Sequence, residues 1–175
     1  MKKLFFILLL NSSLAMAQED FEITSPDFKN GQSLTKDYEF NGFGCDGKNI
    51  APTLEWKNAP KETLSFAFTV YDPEAPTGSG WWHFASYNIA PNVSEIKRGA
   101  LPEGALAVEG DRGVRNYMGP CPPKGHGVHH YIFTVYALNV EKLELPGNAS
   151  AALLGYTINQ HKIGEAKIIA TYERK

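Results

Sequence analysis

In two stretches of the chain, mainly apolar side chains recur at every second position. In residues 64–72, one face of this repeat carries Leu64, Phe66, Phe68, Val70 and Asp72. In residues 128–138, one face carries His129, Tyr131, Phe133 and Val135. A period of two residues is that of a β-strand. Gly, Pro and Asn interrupt the chain at short intervals from residue 21 to about residue 147, and short strands bounded by such residues predict a mainly β fold.

The remaining pattern adds strands and one late helix. Further strands are predicted at residues 81–89, 105–109 and 166–172. Residues 149–163 support a helix that follows Asn148 as its N-cap. The stripe predicted to be buried on this helix consists of Ala152, Tyr156, Asn159 and Ile163. Many strands followed by one helix predict a β-sandwich with a helical cap.

The start of the chain has the three parts of a secretory signal peptide. Two lysines precede an apolar run over residues 4–10, and Ala-Met-Ala at residues 15–17 forms a small-x-small cleavage site. We therefore expect residues 1–17 to be a signal peptide and residues 18–175 to be a single mature domain. The expected location is the periplasm, with secretion as the alternative. No later segment is apolar for about 18 residues, so an integral membrane protein is not expected.

The charge balance excludes one class of partner. The chain carries 17 Lys and Arg against 19 Asp and Glu, which gives a formal net charge of −2. Loss of residues 1–17 removes two lysines and no acidic residue, so the expected mature chain is more acidic. A nucleic-acid-binding protein needs a basic face. Nucleic acid is therefore not an expected partner.

The two cysteines, Cys45 and Cys121, lie far apart in the sequence. An exported protein meets oxidising conditions, in which an even pair of cysteines favours a disulfide. Two separately buried thiols are the alternative. The spacing fits neither a zinc ribbon nor a C-x-x-C redox centre.

The segment at residues 72–84, DPEAPTGSGWWHF, directly follows a predicted strand. Its two prolines fix their own φ angles and restrict the residues that precede them. We therefore expect a rigid turn that holds the carboxylates of Asp72 and Glu74 in fixed directions. His83 lies close behind this turn in the sequence.

The segment at residues 117–133, YMGPCPPKGHGVHHYIF, is a Gly- and Pro-rich loop that runs into a strand. Rigid loops at strand ends commonly carry binding groups. If the two segments meet, Asp72, His83 and His129 converge, with Tyr117 at the rim. A protonated imidazole donates hydrogen bonds to phosphate oxygens, and a carboxylate fixes a tautomer or accepts from a ligand hydroxyl or amine.

Both segments carry a family resemblance. DPEAP with WWHF, and GPCPPKG with HHYIFTVYAL, resemble the two signature regions of the phosphatidylethanolamine-binding protein family, in particular its bacterial Raf-kinase-inhibitor-like branch. GFGCDGKNIAPTLEW at residues 42–56 and GEAKIIATYER at residues 164–174 agree with it. The resemblance covers almost all of the expected mature chain, and its motifs are specific because no general fold rule requires them in that order.

The resemblance implies a β-sandwich-like fold, in which a large antiparallel sheet packs on a smaller sheet, with a C-terminal helix. It also implies a small preformed pocket for phosphate-like groups. Carried over by motif, the ligand-binding residues are Asp72, Glu74, Ala75, Pro76, His83, Tyr117, Gly119, Pro120 and His129. The chain departs from the branch pattern at residues 110–120, GDRGVRNYMGP, which brings Arg112 and Arg115 close to the pocket in sequence.

Each histidine also has a structural interpretation. On residue pattern alone, His83 and His129 suit a hydrogen-bonded core position as well as a ligand contact. His130 points to the opposite strand face and is expected to be structural or exposed. His126 lies in a glycine loop and is expected to be solvated, and His161 suits the C-terminal carbonyls of the helix.

The leading hypothesis is an exported binding protein for a small phosphate-like anion or a phosphoethanolamine headgroup, with a further effect on an unidentified protein partner. Inhibition of a secreted or periplasmic serine protease is one alternative, whereas the signal peptide argues against a cytosolic kinase target. A hydrolase that uses an Asp/His pair is another. The chain has no Ser or Cys nucleophile with an evident orienting partner, and neither an H-E-x-x-H motif nor a phosphate-binding loop. We therefore expect no catalytic residues, no cofactor and no resident metal, although two His and one Asp are a possible zinc ligand set.

Overall fold

A computed structural model of the protein describes residues 19–98 and 100–175. The predicted signal peptide lies outside these residues. Within them the chain forms ten β-strands and one α-helix: β1 (Glu22–Thr24), β2 (Asn41–Gly42), β3 (Cys45–Asp46), β4 (Leu54–Lys57), β5 (Ser65–Asp72), β6 (Trp81–Ile89), β7 (Glu95–Ile96), β8 (Leu106–Ala107), β9 (His129–Leu138), α1 (Ala151–His161) and β10 (Lys162–Tyr172). No helix among the described residues is long and apolar enough to cross a membrane.

The strands form a large sheet, a small sheet and one hairpin. The five-stranded sheet has the order β10-β9-β5-β6-β8, and the three-stranded sheet has the order β1-β4-β7. Neighbouring strands are antiparallel in both sheets. Strands β2 and β3 pair as a separate short hairpin. The predicted mainly β fold, with a large and a small antiparallel sheet, is confirmed.

The large sheet is buried on both faces. One face packs on the small sheet, where Phe68 and Phe133 share a hydrophobic cluster with Leu54 and Ile96. The opposite face packs on α1, where Ala67, Ala85 and Leu138 form a second cluster with Leu154 and Ile158. Strand β5 therefore has almost no exposed face, and even its polar residues Ser65 and Thr69 are buried.

The C-terminal helix is confirmed, but its predicted start and its predicted buried stripe are wrong. Ser150, not Asn148, is the N-cap, and its side chain accepts a hydrogen bond from the Leu153 N–H at 3.2 Å. The buried residues are Ala151, Leu154 and Ile158. The predicted stripe contains Tyr156, which is 64% exposed, and Ile163, which lies in β10.

The predicted disulfide between Cys45 and Cys121 is present, with a Cα–Cα distance of 6.1 Å. It excludes the alternative of two free thiols. The bond joins the β2–β3 hairpin to the loop that leads into β9. Arg174 makes the same connection, because its guanidinium donates to the carbonyl oxygens of Gly44 at 2.6 Å and Pro122 at 3.2 Å.

Candidate functional site

Three residues with titratable side chains meet at one end of the large sheet. Asp72 is the last residue of β5, His83 is the third residue of β6, and His129 is the first residue of β9. Because these strands are antiparallel neighbours, the end of β5 lies beside the starts of β6 and β9. A cavity of about 160 Å³ opens there, which we call the histidine cavity. It is lined by Phe43, Asp72, Ala75, Pro76, Thr77, Trp81, His83, Met118, Cys121, Pro122, Pro123, His129 and Tyr131.

The carboxylate of Asp72 is fully engaged inside the fold. Its Oδ1 accepts hydrogen bonds from the backbone N–H groups of Glu74 at 2.8 Å and Ala75 at 3.1 Å, which close the proline turn. Its Oδ2 lies 2.7 Å from Nδ1 of His129. Burial raises the pKa of Asp72, and the hydrogen bond and charge of His129 oppose that shift. Asp72 therefore acts on His129 rather than offering a free oxygen to the cavity.

His129 is held between two partners. It is 1% exposed, and its Nδ1–H donates to Asp72, which fixes the tautomer. Its Nε2 lies 2.8 Å from Nδ1 of His126, so one proton is shared between the two rings. His126 itself is exposed, as predicted, but its contact with His129 was not predicted. The three side chains form a chain of hydrogen bonds from Asp72 through His129 to the surface.

His83 is buried and uncharged at neutral pH. Its Nδ1 lies 2.9 Å from the Met118 carbonyl oxygen, and because a carbonyl only accepts, Nδ1 carries the proton. Nε2 is then the nitrogen left without a proton. Burial disfavours the imidazolium and lowers the pKa of His83 to about 4, although the bond to Met118 acts in the opposite direction. The ring packs edge-on against Tyr131, with the ring centroids 5.1 Å apart.

The structure brings five of the nine predicted ligand-binding residues to the histidine cavity: Asp72, Ala75, Pro76, His83 and His129. Glu74 is exposed, and its carboxylate accepts the backbone N–H of His130 at 3.0 Å and pairs with the His130 ring. Burial on its own would raise the pKa of Glu74, but the hydrogen bonds from His130 outweigh it and lower the pKa.

The other three predicted residues are not among those that line the histidine cavity. The side chain of Tyr117 lines a different cavity. The N–H of Gly119 donates to Oδ1 of Asn49 at 2.7 Å, and a Cβ at Gly119 would collide with the Tyr38 carbonyl oxygen. The carbonyl of Pro120 accepts the Phe40 N–H at 3.0 Å. Glycine and proline at these positions shape the backbone behind the site, and a role for them in ligand binding stays a prediction.

Several residues at the histidine cavity were not predicted as ligand contacts. Tyr131 shares the period-two face of His129, so the strand pattern contained the signal that places it there. Burial and the nearby Asp72 raise the pKa of the Tyr131 hydroxyl, which keeps it protonated. The Nε1–H of Trp81 is buried and has no hydrogen-bond partner among the residues that the structure describes. Both groups are hydrogen-bond donors on the cavity wall.

One side of the histidine cavity is carried by the β2–β3 hairpin. Phe43 lies at its tip with a φ of 53° and an exposed fraction of 66%. Neither the alternation of the strands nor the proline turn indicated this residue, because the disulfide and Arg174 bring it to the site from a distant part of the sequence. Within residues 19–98 and 100–175, no group of three His, Cys, Asp or Glu side chains has the arrangement of a metal site.

The sequence and the fold are similar to those of known proteins. The profile of the family described as phosphatidylethanolamine-binding protein matches residues 24–173. The UPF0098 protein YbcL of Escherichia coli K12 is 46% identical over 162 residues, which cover 89% of this chain and 88% of that protein. The UPF0098 protein YbhB of the same strain is 40% identical over 157 residues, which cover 86% of this chain and 99% of that protein. The crystal structure of E. coli YbcL matches with a TM-score of 0.87 over 90% of this chain and 100% of that chain, at 46% identity.

Proposed function

The chain belongs to the phosphatidylethanolamine-binding protein family, and on that premise we propose that it binds a small phosphate-like group in the histidine cavity. Inorganic phosphate and the phosphoethanolamine headgroup share this chemistry. The observation that carries the proposal is the pair of buried histidines, His83 and His129, whose Nδ1 protons are both fixed by partners inside the fold. In each ring, Nε2 is therefore the nitrogen through which a ligand would bind.

The size of the cavity supports a headgroup rather than a whole lipid. Pockets for drug-sized ligands span roughly 300–1,000 Å³, whereas the histidine cavity has about 160 Å³. This volume suits one compact tetrahedral anion. The remainder of a larger ligand would extend past the exposed Phe43 at the rim.

The protonation states determine how an anion binds. An anion that only accepts hydrogen bonds needs donors, yet His83 is neutral at pH 7 because its pKa is about 4. Binding therefore takes up a proton, since a bound negative charge stabilises the imidazolium of His83. The buried Nε1–H of Trp81 supplies a second donor. At His129, Nε2 already faces Nδ1 of His126, so the anion must displace His126 to reach this nitrogen and can bond there only to an N–H.

Titration followed by NMR tests this function. We expect inorganic phosphate and phosphoethanolamine to produce saturable shifts of the ring signals of His83 and His129 at millimolar concentration. The substitutions H83Q and H129Q should each remove most of the binding. The matched control is H130Q, because His130 is the neighbour of His129 but points to the opposite, exposed side. Absence of saturable shifts in the unaltered protein, or equal loss in H130Q, would contradict the proposal.

We also propose that the protein is exported, that residues 1–17 are removed, and that residues 18–175 form one mature domain. The Cys45–Cys121 disulfide supports an oxidising compartment. The profile match over residues 24–173 supports a single domain after the cleavage site. The mass of the protein recovered from the periplasmic fraction should correspond to a chain that begins at Gln18.

A further inference from the structure

A second and larger cavity, of about 370 Å³, lies between the two sheets. Its apolar wall takes Phe68, Phe84 and Phe133 from the large sheet and Leu54 and Ile96 from the small sheet. All five belong to the core cluster between the sheets. The second cavity is therefore an open cleft over the core between the two sheets rather than an extension of the histidine cavity, and the two cavities have no lining residue in common.

The mouth of the second cavity is polar and carries a positive charge. Arg115 and Asn116, both exposed, lie on its wall beside Tyr117. One guanidinium N–H of Arg115 donates to the Gly147 carbonyl at 2.6 Å. Among the described residues, Arg115 takes part in no salt bridge. Gly147 is not part of the cavity wall. The charge of Arg115 is thus held by a neutral carbonyl within side-chain reach of the mouth, and no carboxylate neutralises it.

The neighbouring arginine has a different environment. The guanidinium of Arg112 lies over the ring of Phe40, 5.2 Å from its centroid, and Arg112 is not part of the cavity wall. Both arginines were expected close to the phosphate pocket, but Arg115 lines the second cavity instead. The two residues form a matched pair for experiments, because they carry the same charge three positions apart.

We propose that the second cavity binds a small amphiphile with one carboxylate and one unbranched acyl body. The volume falls in the range of small-molecule pockets. The aromatic and aliphatic wall takes the acyl chain, which is removed from water. The carboxylate remains at the mouth, where Arg115 exchanges the Gly147 carbonyl for it. A planar guanidinium matches the geometry of a carboxylate.

The two cavities are connected through the backbone that separates them. The side chain of Tyr117 lines the second cavity, whereas the next residue, Met118, lines the histidine cavity and accepts the Nδ1–H of His83. Asn49 holds the same segment, since its side chain donates to the Tyr117 carbonyl and accepts the Gly119 N–H. Binding in the second cavity is nevertheless independent of the phosphate proposal, because it uses other side chains.

Calorimetric and NMR titration with octanoate tests this proposal on the full chain. Octanoate should bind saturably and shift the amide signals of Asn49 and Asn116. Hexanoate should bind more weakly, by roughly fourfold for each methylene removed. Octan-1-ol has the same chain length without the charge, and should bind about tenfold more weakly than octanoate.

Variants assign the binding to the second cavity. R115Q should weaken octanoate binding by about tenfold, whereas R112Q should leave it within about twofold. A51L places extra volume on the cavity wall and should also weaken binding. Saturating inorganic phosphate should not displace octanoate. The proposal is overturned if octanoate does not bind saturably, if R115Q and R112Q behave alike, if A51L binds like the unaltered protein, or if phosphate competes.

Discussion

At the scale of single residues, the site depends on which partner each polar side-chain atom bonds. Asp72 uses Oδ1 for two backbone N–H groups and Oδ2 for His129, so its carboxylate positions an imidazole. His83 receives the equivalent support from the Met118 carbonyl, which accepts a hydrogen bond but cannot stabilise charge as a carboxylate does. The two histidines therefore differ in electrostatic environment although they share a tautomer.

This difference makes His83 a determinant of acid stability. Its pKa is about 4 in the folded protein and about 6.5 in the unfolded chain. Between these values the unfolded state binds the extra proton, so stability falls as the pH falls from about 6.5 to about 4. Proton linkage at His83 therefore lowers the free energy of unfolding by about 2 kcal/mol between pH 7 and pH 4.5.

Urea unfolding at pH 7 and pH 4.5 measures the effect. In H83Q this part of the acid destabilisation should disappear. The free energy of unfolding should therefore fall between pH 7 and pH 4.5 by about 2 kcal/mol less than in the unaltered protein. H161Q is the control, because His161 lies in the last turn of α1 and away from the histidine cavity. An equal loss of stability in H83Q and in the unaltered protein would show that His83 is not buried as a neutral ring.

The residues that sequence could predict at the site are those next to strand ends. Asp72, His83 and His129 were correctly expected to converge, because the proline turn and the glycine loop mark where β5 ends and where β9 begins. His126 was missed as a partner of His129, since a glycine loop has no periodicity that gives a side-chain direction. Tyr117 was expected at the rim of the same pocket, but the backbone of residues 117–118 turns its side chain to the other cavity.

At the scale of elements, the large sheet is buried on both faces, and the sequence pattern did not predict this arrangement. The alternation in β5 correctly identified a strand, yet residues on both of its faces are buried, because α1 covers the face opposite the small sheet. The helix itself was predicted with the wrong stripe. Small and aliphatic residues lie on several sides of α1, and its orientation depends on contacts with Ala67 and Leu138, which are distant in sequence.

The β2–β3 hairpin forms a wall of the site, where a disulfide and the hydrogen bonds of Arg174 hold it. The Cys45–Cys121 bond closes a sequence separation of 76 residues, which the chain-entropy relation converts to about 4 kcal/mol of stabilisation. Reduction with dithiothreitol should lower the free energy of unfolding by about that amount. It should also weaken phosphate binding, because Phe43 and Cys121 both line the histidine cavity.

The control for reduction is the double variant C45A/C121A, which contains no thiol for dithiothreitol to act on. Its stability should be low and should not change with the reductant. If reduction leaves phosphate affinity unchanged while the stability falls, the hairpin is a structural brace only, and its proposed part in the site is wrong.

At the scale of the whole molecule, the proposed anion site works against the overall charge. The formal net charge is −2, so long-range attraction does not bring an anion to the protein. Affinity for the proposed anion must come from local donors in a small cavity, where His83 and His129 are buried. Electrostatic interactions with buried groups are stronger than those at the surface. The sequence predicted the family and its two sheets, but not the second cavity, because its wall is assembled from five strands.

Calorimetric titration with sulfate tests the phosphate-binding claim most directly, since sulfate carries no titrating proton between pH 5.5 and pH 7.5 and only accepts hydrogen bonds. We predict one site per chain and an affinity that rises by roughly tenfold for each unit fall in pH, because binding must protonate His83. H83Q should remove the pH dependence and most of the binding, and H130Q should retain both. An affinity that does not change with pH, or the absence of saturable binding at pH 5.5, would contradict the proposed function.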